Sequence, residues 1–268
     1  MKPEHTALQE KLYFERTKGM IIHDYDTQTE PMISMKTVYG EQQHLVDKCL
    51  IIYSKVIHDY LLNNYDCSLI GEISVCNGNI GIYSFMLHGE KTAFYLSGIT
   101  STFAAETVCD VNWLTGASKF IMFGSCGSLD REKTFGKYII PTESYRGEAC
   151  SYYYAEPADY IQIRNADKLS AIFDEIGAPY VKGRVWTTGS MLRETAGLVR
   201  KRKNEGCLAV EMELAGVEAV CSFNHFELYD FLESGDVLGE SGWDIEALPA
   251  ANHDLGKLMI AFEIVNRI

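Results

Sequence analysis

The chain has 268 residues, 47% of them apolar and 23% charged, enough for one large α/β domain or two small ones and for a sizeable buried core. Its formal net charge of -13 repels nucleic-acid backbones and anionic membranes, which argues against polymeric nucleic acid or a membrane surface as partner. The cysteines (49, 67, 76, 109, 126, 150, 207 and 221) form no C-x-x-C pair and no Cys/His cluster at metal spacing, so no zinc site is read and a reduced, cytoplasmic compartment is expected.

Residues 1–48 are polar and irregular, the pattern of an N-terminal arm that wraps the domain or reaches a neighbouring subunit. The first sixteen residues are charged throughout and carry no apolar h-region, so no signal peptide is expected there, and no apolar stretch approaches the length of a membrane span. A single domain over 49–268 follows. Cys49–Tyr53 is a short apolar run, followed by a helical pattern through Leu62. Leu69–Val75 and Ile80–Leu87 alternate as strands around Asn77-Gly78-Asn79, a hairpin signal. Thr92–Leu96 is a further strand ending at Gly98, and Ser101–Trp113 a helix with Ser101 or Thr102 at its N-cap. Lys119–Phe123 is a strand that runs into Gly124-Ser125-Cys126-Gly127, and Lys137–Pro141 a strand stopped by proline. Ala166–Ile176 is helical, Tyr180–Thr187 a strand, Ala209–Val210 the lead into a helix over Leu214–Ser222. Phe226–Leu232 is a strand, and Leu255–Val265 a closing amphipathic helix. Strands alternating with helices predict a three-layer α/β/α fold around a mixed, largely parallel sheet.

Four strand-end clusters carry chemistry. Gly124-Ser125-Cys126-Gly127 follows a strand, where ligands bind in open α/β sheets. Its glycines admit a ligand and its hydroxyl can donate to an anion, although the same residues suit a plain tight turn. Gly98-Ile99-Thr100-Ser101-Thr102 opens a helix, and its N–H groups suit an anion or a simple cap. In Val210-Glu211-Met212-Glu213 a carboxylate can grip the vicinal hydroxyls of a ribose while Met212 packs on the sugar; the plain alternative is an acidic first turn. Asp236, after Ser234-Gly235, reads as a strand-end acid whose pKa burial would raise, or as the start of a loop.

In this order and spacing the four clusters resemble the purine nucleoside and uridine phosphorylases of the nucleoside phosphorylase superfamily. Trp186–Thr195 is similar to that family's Thr-Asp-Ala-x-Tyr-Arg-Glu-Thr stretch, and Arg146–Tyr154 to an Arg-Asp-Glu-Gly-Thr-Ser-Tyr-His-Tyr segment of a bacterial branch. The resemblance runs from about Cys49 to the end of the chain. It implies that Ser125 and Gly127 hold phosphate beside the Gly98 turn, that Met212 and Glu213 hold the ribose, and that Glu211 lies at the base or behind the sugar. Asp236 would be the acid at the leaving group, Tyr153 among Tyr152–Tyr154 would stack on the base, and Arg193 would belong to the substrate site. It further implies no metal or organic cofactor, phosphate as co-substrate, and a homo-oligomer, a hexamer or a trimer of dimers.

The sequence departs from that pattern where phosphate binds. Met122 stands in place of an arginine two positions before the Gly-Ser turn, Cys49–Tyr60 lacks a Gly-Asp-x-x-Arg loop, and Gly147 and Gly189 replace aspartates. Lys55, Arg146 or another subunit would have to compensate. Each lost charge-assisted bond to a dianion is worth about 1.5–3 kcal/mol. Phosphorolysis of a purine nucleoside to free base and ribose 1-phosphate is therefore the expected reaction, with a weak hold on phosphate. Hydrolysis in the same fold, or nucleoside binding without catalysis, stand as alternatives.

Overall fold

Lys48–Ile52 is an unbroken run of buried residues, as expected of a strand covered on both faces, and it forms β1 near the middle of the sheet. The computed structural model describes residues 18–76, 78–239 and 242–268. Along these residues β2 (Ser68–Val75), β3 (Gly78–Leu87) and β4 (Glu90–Leu96) form an antiparallel meander, and β4 returns parallel to β1. On its other side β1 pairs in parallel with β5 (Lys119–Ser128). Then follow β6 (Tyr138–Gly147), β7 (Tyr160–Gln162), β8 (Tyr180–Thr188), β9 (Cys207–Glu211), β10 (Glu227–Gly239) and β11 (Gly242–Asp244).

The strand order is β11-β10-β6-β8-β9-β5-β1-β4-β3-β2, and β10 also pairs with β5. Five strands, β5, β9, β8, β6 and β10, thus close into a ring, while β1 to β4 extend from it as an open sheet. Alternation along β1 sends Cys49 and Ile51 into one core and Leu50 and Ile52 into the other. The first core is covered by the helices Ser101–Thr115 and Leu214–Phe223, the second by Lys55–Asn64, Ala166–Ile176 and Leu255–Val265. This is the expected mixed α/β fold, with helical layers on both faces.

Of the expected N-terminal arm, residues 1–17 lie outside the described residues. Further on, the segment runs along the helix Ser101–Thr115: Gln43 N donates to Trp113 O, Leu45 N to Thr115 O, and Trp113 Nε1 to Gly40 O.

Several expected turns are strand instead. Gly124–Gly127 is not a turn, because β5 keeps its parallel ladder to β10 through these residues and Gly127 and Ser128 pair with β9. β10 likewise does not end at Leu232 but continues past a bulge at Gly235, so Asp236 lies on the strand opposite Gly127. Pro141 does not stop β6; the register against β8 shifts between Pro141 and Glu143, a bulge that tolerates the missing N–H. In the β2–β3 hairpin Val75 pairs with Gly78, so Gly78 belongs to the strand and the connection is the pair 76–77, of which Asn77 lies outside the described residues. The helix Ser101–Thr115 begins after Thr100 rather than after Ser101 or Thr102. The helix Ala196–Asn204 and the short helices Ser151–Tyr154 and Leu248–His253 lie in stretches without a clear sequence pattern.

Among the described residues no helix is long and apolar enough to cross a membrane.

Candidate active site

The carboxyl ends of β1, β5 and β9 and the outer half of β10 surround a cavity of about 610 Å³. Of the residues picked from the sequence, Ser125, Gly127, Glu211, Met212, Glu213 and Asp236 all line it. Three walls can be distinguished by their chemistry.

The first wall is the Glu211–Glu213 corner between β9 and the helix Leu214–Phe223. Glu211 Oε2 accepts from the backbone N–H of Glu213 at 2.6 Å and of Leu214 at 2.7 Å, and its other oxygen accepts from the Thr187 hydroxyl. Glu211 is therefore taken up in starting that helix while it still lines the cavity. Burial, with the neighbouring Glu213 charge, pushes its pKa up to about 8. Burial raises the pKa of Glu213 against the opposing backbone hydrogen bonds of Thr100 and Met212, and Glu213 Oε1 accepts from Thr100 N at 2.7 Å. That bond fixes a strained backbone, since Thr100 holds φ at 90° without being glycine. Ser101 Oγ donates to the carbonyls of Met212 and Glu213, both at 3.1 Å, so the Gly98–Thr102 turn is fastened to the Glu213 corner.

The second wall carries Asp236. Its Oδ2 accepts from Trp243 Nε1 at 2.6 Å, and burial raises its pKa against the opposing effect of that bond. Gly127 lies beneath it: a Cβ there would come within 2.5 Å of Leu238 Cδ1 and 3.2 Å of Asp236 Oδ2, so the glycine makes room for the acid. Glu194 faces the same space. Burial, and then the charge of Asp236, raises its pKa to about 7.

The third wall is built where an anion site was expected. The Ser125 hydroxyl donates to Asn252 Oδ1, and Ser54 Oγ lies 2.8 Å from His253 Nδ1. Met122 Sδ accepts from Tyr53 OH at 3.2 Å. Asp230, opposite Met122 in the β5–β10 register, is 1% exposed and both its carboxyl oxygens are buried without a hydrogen-bond partner. Burial, then the charges of Glu211 and Glu213, holds its pKa well above the usual range. Lys257 is the one lysine or arginine among the described lining residues. Its ammonium is buried and donates to Glu233 Oε2 at 2.8 Å and to the Ala251 carbonyl.

Other sequence candidates stand outside the cavity lining. Gly98 does not line it, although Ile99 does; a Cβ at Gly98 would meet the Phe103 ring at 2.6 Å, so its smallness serves packing. Tyr153 is half exposed on the short helix Ser151–Tyr154 and does not line the cavity. Arg193 is exposed and absent from the lining, while its neighbours Leu192 and Glu194 contribute to it. Neither cation considered as a replacement reaches the cavity. Lys55 pairs on the surface with Asp59, and the buried Arg146 binds Ser151 Oγ and the carbonyls of Ala155 and Glu156.

Tyr53, Ser54, Asp230, Asn252, His253 and Lys257 were missed. Asp230 is a lone polar residue in the apolar run Leu228–Leu232, which was a readable signal. The others sit in no recognisable motif.

A family model described as Phosphorylase superfamily matches residues 68–229 of the chain. Among solved structures, futalosine hydrolase of Helicobacter pylori strain 26695 superposes with a TM-score of 0.64 at 15% identity, covering 83% of this chain and 99% of that one. Helicobacter pylori MTAN superposes with a TM-score of 0.63 at 17% identity, covering 82% and 99%. The Helicobacter pylori 5'-methylthioadenosine/S-adenosyl homocysteine nucleosidase, in complex with a pyrrolidine ligand, gives 0.64 at 14% identity, covering 84% and 100%. At such identities the likeness is one of fold.

Proposed function

Given that the chain belongs to the phosphorylase superfamily, whose members cleave glycosidic bonds of nucleosides, we propose that it hydrolyses a purine-type nucleoside to free base and ribose. One observation carries the choice of water over phosphate. The lining holds five carboxyls, Glu194, Glu211, Glu213, Asp230 and Asp236, against one lysine that is already bound to Glu233. A phosphate dianion entering beside Met122 would meet a thioether and the carboxyl of Asp230, and among the described lining residues would find only Lys257, already paired with Glu233, to offset its desolvation. Water carries no such penalty. The reading therefore moves from the phosphorolysis expected from the sequence to its hydrolytic alternative, in keeping with the hydrolase and nucleosidase names of the similar Helicobacter pylori structures.

The chemistry divides among the walls. The carboxylate of Glu213 accepts from the ribose hydroxyls while Met212 packs on the sugar. As the bond to the base lengthens, C1′ takes on oxocarbenium character, which the carboxylate of Glu213 steadies. Asp236, whose pKa burial raises, gives its proton to the departing ring nitrogen, and an aspartate in this place suits a purine. The deciding experiment follows the sugar product from a purine nucleoside in phosphate and in phosphate-free buffer. Free ribose at equal rates in both is expected; ribose 1-phosphate formed only with phosphate would overturn the reading.

A further inference from the structure

One part of the cavity wall is assembled from two segments outside the stretch matched by the family model: the end of β1 with Ser54, and the helix Leu248–His253. Several features hold that helix in place. Gly235, at the bulge of β10, lets it approach closely, since a Cβ there would meet Leu248 Cδ1 at 2.9 Å and Ala251 Cβ at 3.2 Å. From below, Lys257 binds the Ala251 carbonyl and is itself held by Glu233 of β10. Ser125, at the end of β5, ties Asn252. The next residue, His253, meets Ser54 Oγ at 2.8 Å through Nδ1, and Ser54 is fixed in turn because its oxygen caps the following helix at Ile57 N. An imidazole is thus presented to the cavity on a braced support, with one ring nitrogen already spoken for.

Resting on the hydrolytic reading above, we propose that His253 is the general base that activates the attacking water, with Ser54 as the residue that positions its ring. In the tautomer whose Nδ1–H donates to Ser54 Oγ, Nε2 keeps its lone pair, and the residue lines the cavity. The water oxygen bonds to C1′ and its proton passes to Nε2. The electron pair of the breaking C1′–N bond leaves with the base, which takes its proton from Asp236. Solvent then removes the proton from the imidazolium and returns one to Asp236, so no further reactant is needed. Among the lining carboxyls, Glu211 is spent on Thr187 and backbone groups, Glu194 shares the wall of Asp236, and Asp230 is 1% exposed, which leaves the imidazole as the base on this wall.

The test uses adenosine as substrate and the full chain. His253→Ala should lower kcat by about a hundredfold or more with KM within about threefold, and added imidazole should restore part of the rate. Ser54→Ala should lower kcat by a smaller factor and alter its pH profile, and Ser54→Thr, which keeps the hydroxyl, should return both. A His253→Ala protein with the parental kcat overturns the inference. A binding measurement separates this from failure of the hydrolytic reading. With formycin A, a C-nucleoside that cannot be cleaved, the ¹⁵N imidazole resonances of His253 should move as the site fills. If the parent releases no base from adenosine but this shift is seen, the hydrolytic reading fails while His253 stays at the ligand. Formycin A bound without the shift overturns the placement of His253, and no binding overturns both.

Discussion

Asp236 Oδ2 accepts a hydrogen bond from Trp243 Nε1 at 2.6 Å, and that bond favours the charged form of a carboxyl whose pKa burial raises. Trp243→Phe removes the donor, so the Asp236 pKa rises and base release should persist to higher pH than in the parent. Asp236→Asn, which has no proton to give, should lower kcat by about 10²–10⁴. Measured kcat profiles across pH check both; a Trp243→Phe profile that coincides with the parent's would disprove the role given to the indole.

Gly127→Ala tests the same acid from below. The new Cβ would lie 2.5 Å from Leu238 Cδ1 and 3.1 Å from Val210 Cγ1, so the rim must shift. A stability loss of about 1–3 kcal/mol in urea unfolding is expected, together with weaker catalysis as Asp236 is displaced.

Glu213→Gln keeps an oxygen for the Thr100 N–H but replaces the other carboxylate oxygen with an NH₂ that cannot accept from a sugar hydroxyl. The melting temperature should stay within a few degrees of the parent's. The preference for ribonucleosides over 2′-deoxynucleosides should collapse, with kcat/KM for the ribonucleoside down about ten- to a hundredfold, as for loss of a charged hydrogen bond. An unchanged preference would leave Glu213 with only its anchoring bond to Thr100.

Met122→Arg would place a guanidinium in register with Asp230, whose carboxyl has no partner. The two should pair, leaving base release independent of phosphate. Adding Asp230→Asn frees the arginine, and phosphate should then bind about ten- to a hundredfold tighter and support ribose 1-phosphate formation. Phosphate titrations of both variants check this; a phosphate requirement in the single variant would contradict it.

Stability should fall as pH rises from about 4.5 to about 8. Glu211 has its folded pKa raised to about 8 from a usual 4.5, so over that window the folded state binds more protons than the unfolded chain. The stabilisation is complete below the unfolded value and disappears through the folded one. Glu218, raised to about 7 by burial, acts in the same direction. Since one pKa unit is worth about 1.4 kcal/mol, a few kcal/mol separate pH 5 from pH 9, and Glu211→Gln should flatten the slope. Urea unfolding at several pH values reads it directly.

Much of this arrangement can be read in the sequence because the deciding signals are local. The apolar runs give β1 and the first half of β5, and Val210–Glu213 marks a strand meeting a helix. What could not be read depends on pairing between distant segments. Gly124–Gly127 looks like a turn and becomes a strand only because β10 lies alongside it. Asp236 looks like a loop residue until the bulge at Gly235 extends its strand. His253 and Asn252 belong to a six-residue helix with no periodicity to reveal it, brought to the cavity by contacts with Gly235, Lys257 and Ser125. Arg146 shows the converse: a cation in a suggestive motif, but folded inward onto carbonyl groups.

The closed ring of β5, β9, β8, β6 and β10 bears on how the protein loses activity. Ser125, Glu211 and Asp236 extend from three of its strands, and a ring has no open edge along which one strand can slip alone. A shift in any pairing displaces all three together. On the proposed reading, thermal inactivation and loss of tertiary structure should coincide, with no partly melted form that still releases base. A change of nucleoside would fall instead to the turn at 191–194, which lies outside the ring and can be rebuilt without moving Asp236, Glu213 or His253.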